Sequence, residues 1–238
     1  MMAASIKVDV SVNQANASHV FLLDVDNTLL DNDRFGADLR AHLTREFGQE
    51  ECDRYWAIYE QLRDSLGYVD YLGALQHFRL ENDTRPSIFT LSYWLLDYPF
   101  EQRLYSGALE TIDQLNQLGR AVILSDGDVV FQPHKIERAG IRGAVRGEVL
   151  IFVHKELALD EMLARYPAAH YVMTDDKPNL LTKMKRKLGD RLTTVFVRQG
   201  HYASIANLDE LDPAPDYIIG SIKELPALAA ELVGAAAA

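Results

Sequence analysis

Six short apolar, β-rich runs recur along the chain, at residues 20–24, 121–125, 149–153, 171–174, 194–197 and 217–219. Amphipathic helical patterns separate most of them, at residues 108–118, 131–139, 156–166 and 179–188. Strand alternating with helix predicts an α/β fold, a mostly parallel sheet covered by helices on both faces. One stretch breaks the rhythm. Between about residues 33 and 98, helical patterns at 35–47, 51–66, 71–80 and 86–95 follow one another with no convincing strand. This predicts a Rossmann-like parallel-sheet core, residues 1–31 and 100–238, with an inserted all-helical domain at residues 32–99. The first 15 or so residues and the Gly234 to Ala238 tail are expected to fray.

The first apolar run ends abruptly in Asp24-Val25-Asp26-Asn27-Thr28, with two carboxylates on alternate residues. Residues i and i+2 of an extended chain point the same way, so Asp24 and Asp26 can share one small space at the strand end. At roughly 5 Å two such charges repel by about 1 kcal/mol in bulk water and by several times that when partly buried. Something positive should sit between them. Lys155 is one candidate, and a further acidic pair, Asp175 and Asp176, suits an oxygen-loving metal. In an open parallel sheet, ligands bind outside the carboxyl ends of the strands. Asp24, Asp26, Ser125, Lys155, Asp175 and Asp176 each fall where a predicted strand ends or the next helix begins.

Charge narrows the function classes. With 35 Asp plus Glu against 24 Lys plus Arg, a net charge of −11 argues against binding duplex nucleic acid through its phosphates. A small phosphorylated substrate needs only a local positive site. The single Cys52 excludes a disulfide framework and reads as a packed thiol. The seven His residues show no ligand spacing, and no apolar run reaches about 18 residues. Residues 1–19 lack a signal-like apolar core, so a soluble, cytoplasmic protein is expected, with no membrane partner.

These residues, in this order, resemble the four motifs of the haloacid dehalogenase-like superfamily of phosphohydrolases, and the resemblance spans nearly the whole chain. Asp24-Val25-Asp26-Asn27-Thr28 is similar to the first motif, Asp-x-Asp-x-Thr. Ser125 matches the strand-terminal Ser or Thr of the second, Lys155 the third, and Asp175-Asp176 the acidic fourth. The helical insertion looks like the C1-type cap of that family. The resemblance implies a Mg²⁺-dependent phosphomonoesterase that works through an aspartyl-phosphate. Asp24 is then the nucleophile and Asp26 the general acid and base. Ser125, the backbone N–H groups of Asp126 and Gly127, and Lys155 hold the phosphoryl group. Asp24, Asp176 and the backbone carbonyl of Asp26 bind the metal, with Asp175 a second or water-mediated contact. In this reading Lys155 alone offsets the acids. The family commonly has another acid about four residues after the fourth motif, where this chain has Leu180.

Alternatives stay open. A phosphotransferase or phosphomutase uses the same groups, a strict haloacid dehalogenase needs no acid at the Asp26 position, and a receiver domain is much shorter. A non-catalytic phospho-ligand-binding protein on the same fold would usually have lost one of these groups. For the leaving group, the candidates are Arg34, Phe35, Tyr68, Tyr71, Arg79 and the 198–202 turn. Trp56 and Trp94 are expected to be core residues.

Overall fold

The computed structural model describes residues 17–80 and 87–236. Strand β1 (Ala17–Leu23) is followed by four helices, α1 (Asn32–Phe47), α2 (Gln49–Leu66), α3 (Tyr71–Arg79) and α4 (Ser87–Asp97). Helix α5 (Ala108–Leu118) then leads into β2 (Arg120–Asp126). After it come α6 (Phe131–Arg138), the short α7 (Ile141–Ala144), β3 (Val149–Phe152), α8 (Leu159–Arg165) and β4 (Ala168–Asp175). The chain ends with α9 (Pro178–Leu188), β5 (Leu192–Val197), α10 (Gly200–Ile205), β6 (Tyr217–Ile219) and α11 (Leu225–Ala236).

The strands form one parallel sheet in the order β3-β2-β1-β4-β5-β6. The chain works outward from β1 to β3, then crosses back to β4 and works outward the other way. That reversal opens a crevice beyond the carboxyl ends of β1 and β4, the place where such sheets bind ligands. Period-two alternation sorts the strand residues between two cores. Phe21, Leu23, Ala121, Ile123, Val172, Val195 and Val197 face one side with α5 and α11. Val20, Leu22, Val122, Leu124, Tyr171, Met173 and Phe196 face the other with α8 and α9. Because both faces are covered, the central strands read as unbroken apolar runs. Each buried Leu, Ile, Val or Phe contributes about 1.5–3 kcal/mol relative to exposure.

Local signals set the helix ends. Helix α9 starts with Pro178, which needs no N–H there, and finishes with Lys185, Arg186 and Lys187 facing its negative end. Asp31 accepts the Arg34 N–H at 2.9 Å to cap α1, and Asp70 accepts the Gly73 N–H at 2.6 Å to cap α3. Gly67, at φ +80°, ends α2 in the left-handed conformation, and a Cβ there would lie 2.7 Å from the His154 ring.

The four inserted helices close around aromatic rings. Phe35 lies 5.0 Å from Tyr71, 4.9 Å from Tyr98 and 5.1 Å from Phe100, centroid to centroid. Cys52 is buried, as expected for a packed thiol, and Trp56 and Trp94 pack half-buried against the same core. The two chain segments that join the insertion to the sheet pair with each other. Leu30 bridges Leu104, the Asp31 N–H reaches Arg103 O at 2.7 Å, and the Tyr105 N–H reaches Leu29 O at 2.9 Å. Beside this stem, Asp38 takes a bond from the Tyr98 hydroxyl at 2.5 Å and from Arg103 at 2.8 Å.

Two expectations shift. Helix α8 starts at Leu159 rather than residue 156, because residues 154–158 form turns, with the Leu157 N–H on His154 O and the Ala158 N–H on Lys155 O. Gly234 to Ala236 belong to α11, and the last two residues of the expected frayed tail, 237–238, lie outside the described residues. The expected fraying of the first 15 residues, and the residue-86 start of the fourth inserted helix, lie outside the described residues. Among the described residues no helix is long and apolar enough to cross a membrane.

Candidate active site

The Asp24 N–H still bonds Thr174 O at 3.1 Å, so the first acid sits in register with β4 although β1 has ended. The chain then folds back tightly, the N–H groups of Leu29 and Leu30 both reaching Val25 O at 2.9 Å. Asn27 makes the turn at φ +59°, a conformation Asn tolerates better than most residues. Its amide oxygen accepts the N–H groups of Asn32 and Asp33, tying the loop to the first turn of α1.

Lys155 is the pivot of the site. It is fully buried, and its ammonium lies 2.5 Å from Asp24 Oδ1 and 2.6 Å from Asp175 Oδ2. Its backbone N–H donates to Asp126 Oδ1 at 2.7 Å, which fixes the turn after β3 against the end of β2. Burial alone would discharge this amine, but Asp175, Asp24 and Asp126 outweigh it and hold its pKa well above the ordinary lysine range.

Asp24, Asp175 and Asp176 form a compact acidic cluster, each offering a carboxylate oxygen within 4.8 Å of the others. The two neighbours in the fourth motif play different parts. Asp175 is engaged on both sides, with Lys155 and with the Lys177 N–H at 2.8 Å. Asp176 is buried with neither oxygen hydrogen-bonded, and Asp24 Oδ2 is likewise buried and unpartnered. Burial, then the charges of Asp175 and Asp24, pushes the Asp176 carboxyl far up; burial also raises Asp175, against the pull of Lys155. Such orphaned oxygens are costly unless something positive meets them.

The Asp26 side chain turns away from that cluster and pairs with Lys135, whose ammonium lies 2.7 and 3.0 Å from its two oxygens. Any metal role for Asp26 therefore falls to its backbone. Ser125 is buried, its hydroxyl donating to Asp126 O at 3.2 Å and accepting from the Gln132 amide at 3.0 Å. Gly127 departs from expectation: its N–H is bonded to Phe152 O at 3.0 Å, so it is already committed to the end of the sheet. Burial raises Asp126 although Lys155 opposes this. Arg34 also departs. Its guanidinium is largely exposed and pairs with Asp38 one turn along α1, at 3.2 Å, and it does not line the cavity described next.

A cavity of about 350 Å³ opens beside Asp26, walled by Asp26, Asp126, Gly127 and Gln132 from the sheet side and by Arg63, Tyr68 and Tyr71 from the insertion, while Asp24, Lys155, Asp175 and Asp176 are not in its wall. Lys177 and Tyr202 complete it, the ammonium lying 5.4 Å from the ring centroid. A larger hollow of about 570 Å³ shares these two residues but has neither Asp26 nor any residue of the insertion in its wall. Of the expected leaving-group contacts, Tyr68, Tyr71 and Tyr202 line the cavity, whereas Phe35 is packed in the aromatic core. His201, in the same turn, is bonded to Asp33.

Sequence reasoning missed Lys135, Gln132 and Lys177. It also put one lysine against the acids where the structure pairs two, Lys155 and Lys135, and brings the charge of a third, Lys177, near them. Lys177, resisted by burial, is kept charged chiefly by Asp24 and Asp175. The available signal was a Gln and a Lys within the inward stripe Phe131, Gln132, Lys135, Ile136 of α6. A lysine on the apolar face of a helix needs an acid inside.

No family model matches the chain, and no curated protein matches it. Solved structures do. A haloacid dehalogenase-like hydrolase from Burkholderia xenovorans is 54% identical, with a TM-score of 0.80 over 88% of this chain and 97% of that one. A magnesium-bound HAD hydrolase from Bacillus subtilis is 19% identical, with a TM-score of 0.59 over 89% and 98%. An L-2-haloacid dehalogenase from Xanthobacter autotrophicus is 17% identical, with a TM-score of 0.56 over 88% and 97%. The last two share the fold. The first shares sequence along nearly its whole length, and the chain belongs to the haloacid dehalogenase-like hydrolases.

Proposed function

We propose that the protein is a Mg²⁺-dependent phosphomonoesterase that forms an aspartyl-phosphate on Asp24. The observation that carries this reading is the state of the Asp24 carboxylate. One oxygen is held by Lys155 at 2.5 Å, while the other is buried with no hydrogen-bond partner. Attack by that oxygen on phosphorus forms the acyl-phosphate bond as the ester P–O bond breaks, and the leaving oxygen takes a proton from Asp26. Asp26 then takes a proton from the water that cleaves the intermediate, which regenerates Asp24 and releases phosphate.

Lys155 neutralises charge on the nucleophile and the transferring group, and Ser125 offers a hydroxyl to a phosphoryl oxygen. The two unpartnered oxygens of Asp176 fit a hard divalent cation, with the non-attacking oxygen of Asp24 and the Asp26 backbone carbonyl as further ligands and Asp175 behind them. When bound, Mg²⁺ supplies Lewis-acid polarisation of the phosphoryl oxygens. The inserted helices act as a cap, and a cavity of about 350 Å³ suits a small phosphorylated metabolite.

Dehalogenation is the competing reading, since a solved L-2-haloacid dehalogenase shares the fold. Halide leaves without a proton and brings no dianion to neutralise, so neither Asp26 on the cavity wall nor the acidic cluster has work there. The two are separated by assaying purified protein with Mg²⁺ against p-nitrophenyl phosphate, a panel of sugar and acid phosphates, and 2-chloropropionate. Phosphate release that stops in excess chelator is expected. Chloride release without phosphate release would overturn the proposal.

A further inference from the structure

We propose that Lys135 is the positioning residue for Asp26, and that it ties the orientation of that carboxylate to the first turn of the inserted helices through Asn32. The inference rests on reading Asp26 as the general acid and base. Lys135 is about 1% exposed, and its ammonium makes bonds to Asp26 Oδ1 (2.7 Å), Asp26 Oδ2 (3.0 Å) and Asn32 Oδ1 (3.1 Å). All three donors of the amine are thereby in use.

Two bonds to one carboxylate do more than neutralise it. They fix its plane, which decides where a shared proton points, and a proton donor acts only within hydrogen-bond reach of the leaving oxygen. Gln132, one turn earlier on α6, touches Asp26 Oδ2 at 3.4 Å and Ser125 Oγ at 3.0 Å, so one helix face steadies both the acid and the hydroxyl. The third bond of Lys135 goes to Asn32, the first residue of α1, whose own N–H is held by Asn27 of the acidic loop.

Helix α6 also grips the insertion. The Phe131 ring centroid is 5.5 Å from that of Tyr71, and His134 Nε2 lies 2.6 Å from Leu96 O. Helix α6 thus touches the insertion through Phe131, His134 and Lys135, and the Asp26 carboxylate through Gln132 and Lys135. A shift of the insertion therefore reaches Asp26 through Lys135 without passing through Asp24.

The test compares wild type with Lys135→Met, Lys135→Arg, Asn32→Ala and Asp26→Asn, using Mg²⁺ and two esters, 2,4-dinitrophenyl phosphate and phenyl phosphate. The first leaving group needs no proton and the second does. Lys135→Met should lose roughly ten- to a hundredfold more kcat/KM on phenyl phosphate than on the dinitrophenyl ester, in the same direction as Asp26→Asn. Lys135→Arg should recover part of the loss, and Asn32→Ala should show a smaller version of it. Because Asp26 is 28% exposed, water can meet it when the lysine is gone, and the fold should survive.

Equal losses on both esters in Lys135→Met, with a selective loss in Asp26→Asn, would overturn the positioning role and leave the reaction intact. Equal losses in Asp26→Asn would instead remove the acid role itself. A crystal structure of Lys135→Met decides the point independently of activity. An Asp26 carboxylate turned away from Gln132 supports the inference, and one that stays in place refutes it.

Discussion

Lys155 Nζ lies 2.5 Å from Asp24 Oδ1, with the lysine fully buried and the aspartate nearly so. Such a pair owes its worth to being complete. Lys155→Met should strand Asp24 and Asp175 without a counter-charge and destabilise the protein by about 3–5 kcal/mol, while abolishing turnover. Chemical denaturation and a phosphatase assay check this, and a variant of wild-type stability would show that the acids find another partner.

Asp24→Asn is nearly isosteric and leaves Lys155 its ion pair with Asp175. Turnover should fall at least about a thousandfold with the fold intact. Near-wild-type activity on an activated aryl phosphate would end the covalent mechanism.

The two acids of the fourth motif should separate experimentally. Asp176→Asn is expected to weaken Mg²⁺ binding, read by isothermal titration, with little loss of stability, since its oxygens hold nothing within the protein. Asp175→Asn should cost stability through Lys155 and the Lys177 N–H. The opposite pattern would make Asp175 the direct ligand.

The raised carboxyls also predict a pH trend. Asp176 is pushed up to about 9, and Asp175 upward too, chiefly by burial. A folded-state pKa above the unfolded one means the metal-free fold holds protons that the unfolded chain has lost. That stability is fully present below the unfolded pKa of roughly 4 and drains away as pH rises through the folded values. Thermal melts in chelator should therefore fall between about pH 5 and pH 9, less so in Asp176→Asn, and Mg²⁺ should stabilise more at the alkaline end. A flat profile in chelator would contradict the burial argument.

Gly67→Ala tests the contact between the α2–α3 turn and the sheet. The left-handed backbone and the His154 ring 2.7 Å from the added Cβ both oppose it, so a loss of about 1 kcal/mol or more is expected. Melting temperature and KM for a small phosphate ester report it, and an unchanged KM would mean the turn does not bound the substrate space.

The β runs and the order of the acids were legible because both follow short-range rules. Unbroken apolar runs mark strands buried on both faces, such as residues 120–126, and ligands gather where such strands end. What stayed hidden depends on contacts distant in sequence. Lys135 meets Asp26 across 109 positions, and nothing in the α6 segment names that partner. Gly127 read as a free donor because its bond to Phe152 O exists only once β3 lies beside β2. The Arg34–Asp38 pair, by contrast, was visible as an i,i+4 spacing, and that local attraction accounts for the arginine's absence from the cavity wall.

The paired stem at Leu30 and Leu104 limits how the inserted helices can move. Two hydrogen-bonded segments leaving a sheet together cannot slide past one another without breaking their ladder, yet they can bend as a single ribbon. A tilt of the four helices would bend this ribbon and load the contacts of Phe131 and His134, changing how wide the mouth above Asp26 stands open, while Asp24 and Lys155, at the strand ends, would keep their spacing.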